Sequence, residues 1–115
     1  MPSELKSISP DGRYLIHIDA WEARNSLWVE SPRLSEAKSG AILLRFHSTM
    51  WSLDRARWLS EHEVELTLRK YPGNHAPADL VAVVDCVHGS ASVAESAAVA
   101  LDQLEALLER QLTWK

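Results

Sequence analysis

An α+β fold is what this 115-residue chain predicts: an antiparallel sheet of five or six strands, mostly a meander, with one C-terminal amphipathic helix packed on one face. Three observations lead there. In residues 41–47 Ile42, Leu44 and Phe46 alternate with Leu43, Arg45 and His47; in residues 62–69 Val64, Leu66 and Leu68 alternate with Glu63, Glu65, Thr67 and Arg69. A period of two marks half-buried antiparallel strands. The run Leu80-Val81-Ala82-Val83-Val84 is apolar on both faces and rich in β-branched residues, which suits an inner strand covered on both sides. Past it, Ser92-Val93-Ala94-Glu95 fits a capping box, and Ala97, Leu101, Leu104, Leu108 and Leu112 recur at helical spacing.

In chain order, Ser9-Pro10-Asp11-Gly12 is a turn, because proline presets φ and glycine accepts a positive one. It launches a strand over residues 13–21, with Tyr14, Ile16, Ile18 and Ala20 on one face and Arg13, Leu15, His17, Asp19 and Trp21 on the other. A polar bend at 22–26 leads into a short strand, 27–30, which Pro32 should stop. Residues 33–40 read as a loop, and the two alternating runs follow as a central strand pair. Between them Trp51 and Trp58 can cover the core while Ser52, Asp54, Arg55 and Arg57 keep the connection wet. Tyr71-Pro72-Gly73-Asn74 is a turn, with its loop running on through Pro77. The whole, 1–115, reads as one domain with strands within 12–87 and the helix over about 92–112. Its expected core is Tyr14, Ile16, Ile18, Ile42, Leu44, Phe46, Val64, Leu66, Leu68, Val81, Val83, Leu101, Leu104 and Leu108.

Composition narrows the function. Twelve basic and sixteen acidic side chains leave a formal charge of -4, which argues against nucleic acid and anionic membranes as partners. The single cysteine, Cys86, allows neither an internal disulfide nor a thiolate zinc cluster. No apolar run approaches the ~18 residues of a membrane span, and the start of the chain lacks a signal-peptide core, so the expected location is cytoplasmic.

Candidate chemistry is sparse. Asp85-Cys86-x-His88, with His17, Asp19 and His47, supplies zinc-type ligands. Asp85 and Cys86 would face opposite sides of a strand, however, and the better reading is a buried cysteine at a strand end. No nucleophile elbow and no phosphate-cradling glycine loop occurs, so neither a catalytic residue nor a cofactor is expected. The Arg69-Lys70-Tyr71 step, with Arg45, Arg55 and Arg57, offers a small basic patch beside aromatics. The segment from Trp21 to Glu30 combines aromatic anchors with a charged rim, the composition of an interface. From it Trp21, Glu22, Arg24, Trp28 and Glu30 are the expected partner-binding residues.

Two resemblances bear on function. Ser9-Pro10-Asp11-Gly12-Arg13-Tyr14-Leu15 resembles the turn and strand that open blades of WD40-like and TolB-like β-propellers. A degraded copy follows, with Ser52-Leu53-Asp54 lying 43 positions later and Arg57-Trp58-Leu59 lying 44 later, close to the ~40–45-residue blade repeat. A closed propeller needs at least about four blades and this chain has room for two, so the resemblance implies similar strand starts in a small meander and a protein-binding scaffold. In size, acidity and architecture the chain also resembles small stand-alone bacterial α+β proteins, including immunity proteins of toxin systems. Together these lead to a non-enzymatic, protein-binding domain, monomer or homodimer, that neutralises a partner toxin with a basic surface. The alternative is a metal- or small-ligand-binding protein, or a minor enzyme, with His17, Asp19 and His47 in a pocket between sheet and helix.

Overall fold

The computed structural model describes residues 3–24, 27–94 and 96–114. Two antiparallel meanders carry the chain. The first is a four-stranded sheet of β1 (Ser3–Ile8), β2 (Tyr14–Arg24), β3 (Leu27–Glu36) and β4 (Ile42–Arg45), in that order. The second holds β5 (Trp51–Trp58), β6 (Glu63–Lys70), β8 (Leu80–Asp85), β9 (Ser90–Val93) and β10 (Val99–Ala100), each beside the next. Between β6 and β8 lies β7 (His75–Ala76), which pairs with β11 (Thr113–Trp114) as a two-stranded ribbon. A 3-10 turn (Leu101–Gln103) leads into the helix α1 (Leu104–Gln111).

Both sheets and the helix share one core. Tyr14, Ile16, Ile18, Leu34, Leu44 and Phe46 from the first sheet meet Trp51, Leu53, Val64, Leu66, Leu68 and Val84 from the second, with Leu101, Leu104, Leu107 and Leu108 closing one end. Alternation therefore set the inward faces of β2 and β6 as expected, and of the run at 41–47 it set Leu44 and Phe46. Trp51 is fully buried and Trp58 packs against the same cluster while its indole N–H donates to Ser7 Oγ at 2.9 Å. Trp28 and Trp114, by contrast, stay 48% and 45% exposed.

Several expectations are corrected. There are three sheets of four, five and two strands among the described residues, not one of five or six. The two alternating runs are not neighbours, since β4 pairs with β3 and β6 pairs with β5 and β8. The stretch read as a wet connection is itself strand β5, and β1, β9, β10 and β11 lie outside the expected strand limits. In β8 the buried set is Leu80, Ala82 and Val84; Val81 is 41% exposed and Val83 half-buried, so this strand is covered on one face only. Ile42 is likewise 49% exposed. The helix covers eight residues instead of about twenty, because Ser92 belongs to β9 and Val93 and Ala91 point into the core on a period of two. Glu95, the other half of the expected capping box, lies outside the described residues.

Pro32 does not stop β3, and the reason is geometric. Glu30 N–H donates to Ser52 Oγ of β5 at 3.0 Å and so points away from β2. Backbone groups of residues two apart point the same way along a strand, which turns the nitrogen of Pro32 away from β2 as well. Pairing with β4 ends at Arg33, so the missing N–H leaves no gap in a ladder. The Ser9 turn forms as expected between β1 and β2. Ser9 Oγ accepts from Tyr14 N–H at 2.9 Å and donates to Asp11 Oδ1 at 2.8 Å, and Gly12 takes φ 76°. Ser52-Leu53-Asp54 lies inside β5; the serine turn of the second sheet is at Ser60, whose Oγ accepts from Glu63 N–H at 3.2 Å.

Candidate functional site

The segment from Trp21 to Glu30 forms the outer end of the β2–β3 hairpin, with Asn25 and Ser26 outside the described residues. Register sorts its side chains by face. Glu22 lies across from Trp28, and Ala20 from Glu30, so Glu22, Trp28 and Glu30 share one face of the ribbon. Trp21 lies across from Val29 on the other. Its indole donates to Thr49 O at 3.0 Å and meets the Tyr71 ring edge-on at 6.1 Å, while Val29 is buried. Arg24 is exposed beyond a register shift, across from Leu27. Glu30 pairs with Lys6 at 3.6 Å.

Beside this hairpin end is a cleft of about 300 Å³ whose walls include Leu27, Trp28, Ser52, Arg69, Tyr71 and Pro72. It lies next to the point where β3 and β5 touch at Glu30 and Ser52, and Tyr71-Pro72-Gly73, just past the end of β6, also lines it. Two segments that the sequence offered separately, the Trp21–Glu30 bend and the Arg69-Lys70-Tyr71 step, thus both line one cleft. The cations differ in availability. Lys70 is largely buried, bonded to Glu109 of α1 and set over the rings of Trp51 and Trp114 at 5.6 and 5.9 Å. Arg69 pairs with Asp54 at 3.3 Å and its side chain remains 48% exposed. Arg57 instead pairs with Glu65 near the far end of β5, and Arg45 belongs to the first sheet, so the four arginines do not form one patch. Sequence reasoning missed Ser52 and Pro72, since neither carries a motif and only the approach of β3 to β5 brings them here.

Comparison with protein-family models, curated proteins and solved structures returned no match.

The remaining candidates separate. His17 and Asp19 lie on the outward face of β2, where Asp19 pairs with Arg33 at 3.7 Å and His17 Nδ1 is buried without a hydrogen bond. His47 lies elsewhere, in a cleft of about 320 Å³ between β4 and the start of the helical segment. Asp85 and His88 build the β8–β9 turn: Asp85 Oδ1 accepts from the N–H groups of Val87 and His88 at 3.0 Å each, and Oδ2 lies 2.8 Å from His88 Nδ1. Partial burial pushes the Asp85 carboxyl up, but these hydrogen bonds outweigh it and hold it below the usual 3.8. Cys86 points into the core, where desolvation, aided by the Asp85 charge, pushes its thiol up to about 12. A buried thiol held neutral in this way is a poor nucleophile at neutral pH. Among the described residues no three His, Cys, Asp or Glu side chains converge on a common point for a metal. No helix there is long and apolar enough to cross a membrane.

Proposed function

We propose that the protein acts by binding another protein, with the outer end of the β2–β3 hairpin and the adjoining cleft as its contact. The carrying observation is the exposure of Leu27 and Trp28, 43% and 48%, adjacent in sequence and lining a cleft together with Tyr71 and Arg69. A tryptophan over a pocket, ringed by charged groups, is the pattern of an interface hot spot. Glu22, Arg24 and Glu30 supply the ring. The formal charge of -4 suits a basic partner, and the resemblance to immunity proteins makes a toxin domain the partner class to test first. In that role the protein is an inhibitor by occlusion and performs no chemistry.

The experiment is capture of the product of the adjacent gene, followed by affinity measurement on folded variants. Trp28→Ala is expected to weaken the complex by ~2 kcal/mol or more, about thirtyfold, with little change in melting temperature. Glu22→Lys is expected to act in the same direction by a similar amount where its charge is desolvated against the partner. Glu30→Lys also breaks the contact with Lys6, so both charge reversals are read only on variants whose melting temperature is preserved. A complex whose affinity ignores both Trp28→Ala and Glu22→Lys would remove the hairpin end from the interface.

A further inference from the structure

We infer that the cleft beside Trp28 receives an extended peptide segment of the partner, which pairs through its backbone with Trp28 and presents a carboxylate to Arg69. The inference rests on the protein-binding reading above and names what enters the site. Its first support is the open edge of β3. Glu30 N–H is turned towards Ser52, away from β2, so two residues earlier the N–H and C=O of Trp28 also point away from β2, on the side of the cleft. Among the described residues no strand pairs with β3 on that side at Trp28, and neither backbone group meets another partner. An unpaired strand edge bordering a cleft is the geometry used when a peptide adds to a sheet, where the main chain supplies affinity and flanking pockets supply selectivity.

The chemistry of the edge selects the occupant. Trp28 offers one donor and one acceptor from the same residue, a pair that a peptide unit satisfies at both ends. A lipid phosphodiester, which carries no donor, would satisfy the N–H and leave the carbonyl unmet. Tyr71 and Pro72 give an apolar wall for alternate side chains of the segment. Arg69, half-exposed and held by Asp54 from one side, presents its remaining N–H groups to a carboxylate, the group its planar fork fits best. Lys70 lines the same wall but is already taken by Glu109. An acidic side chain on the segment is a local requirement and is compatible with a partner that is basic overall.

The test uses the intact protein and three capped pentapeptides, acetyl-Val-Glu-Val-Glu-Val-amide, its Gln counterpart and its Lys counterpart, followed by backbone amide NMR. The glutamate peptide is expected to bind with roughly millimolar affinity, as befits so small a contact, shifting the amides of Trp28, Arg69 and Tyr71. It should bind about tenfold more tightly than the lysine peptide. N-methylation of alternate peptide amides should abolish the shifts, since it removes the strand-pairing donors and keeps every side chain. Arg69→Gln, its fold checked by melting temperature, should erase the preference for glutamate over glutamine. Shifts absent at Trp28, unchanged on N-methylation, or stronger with the lysine peptide would overturn the inference. A partner whose affinity falls with Trp28→Ala while no peptide binds would overturn it and leave the protein-binding reading standing. Peptide binding at Trp28 with no protein captured would do the reverse.

Discussion

Ser9, Asp11 and Asp85 are short polar side chains that bind backbone groups a few residues away and thereby close the turns between strands. Asp11 accepts from the N–H of Arg13 and from the Ser9 hydroxyl, which hold its carboxyl below the usual 3.8. Asp85 is lowered likewise, its bonds from His88 and Val87 prevailing over the cost of burial. A carboxyl whose pKa is lower in the folded than in the unfolded protein contributes stability that is present above the unfolded pKa and lost as pH falls through the folded value. The contribution of these two carboxyls should therefore be complete near neutrality and decline below about pH 4. In urea titrations, the gap between the natural protein and Asp85→Asn should be full at about pH 6 and shrink on acidification to about pH 2.5. A gap that stays constant across that range would mean that Asp85 acts through packing and not through its charge. The same residue shows why ligand chemistry in the sequence does not make a metal site. Asp85, Cys86 and His88 have ligand chemistry, but a strand end followed by a tight turn sends Cys86 into the core and folds Asp85 back on its own backbone.

Elements were legible where the pattern was local and one-sided. Tyr14, Ile16 and Ile18 in β2 and Val64, Leu66 and Leu68 in β6 alternate with polar residues, and all six are buried. Where both faces are apolar the period carries no direction, and in β8 the buried set is Ala82 and Val84 instead of Val81 and Val83. The leucines of residues 101–112 misled in length. Leu101 enters the core from a 3-10 turn, and residues 90–93 and 99–100, which overlap the expected first turns of the helix, form two short strands: the edge of β8 offers 90–93 a pairing that local propensity ignores, and 99–100 pair in turn with 90–91. The cleft wall was half legible, since composition marks Trp28 and Arg69 but contains nothing about the approach of β3 to β5. Alanine substitution separates the true core from the expected one. Leu66→Ala and Leu104→Ala should each cost ~2–5 kcal/mol, as both are buried at 2% exposure or less. Ile42→Ala, at 49% exposure, should cost under ~0.5 kcal/mol. Equal losses at all three in chemical denaturation would contradict the one-sided burial of β4.

At the scale of the molecule, the chain passes from the first sheet to the second once, through residues 46–50, and successive groups of that crossing are each held by a different element. Glu105 of α1 accepts from His47 N–H with Oε1 at 2.7 Å and from Ser48 N–H with Oε2 at 3.0 Å. Thr49 O accepts from the indole of Trp21 on β2 and from Ser31 Oγ on β3. Met50 O accepts from Tyr71 N–H at the end of β6. The crossing thus joins helix, first sheet and second sheet at one place, and Tyr71, which it holds, also lines the cleft beside Trp28. Glu105 is the member that no backbone geometry replaces, because one carboxylate satisfies two N–H groups and each such charge-assisted bond is stronger than a neutral one. Glu105→Ala should destabilise by about 1.5–3 kcal/mol, with the low end favoured since the carboxylate is only half-buried. Glu105→Gln keeps one accepting oxygen and turns an NH2 towards the second N–H, so it should recover less than half of the loss. Hydrogen exchange localises the effect: the amides of His47 and Ser48 should exchange faster in both variants, while those of β6, remote from the carboxylate and paired on both sides, keep their protection until global unfolding. If Glu105→Ala left stability and the exchange of His47 and Ser48 unchanged, the crossing would be held by the Thr49 and Met50 bonds alone.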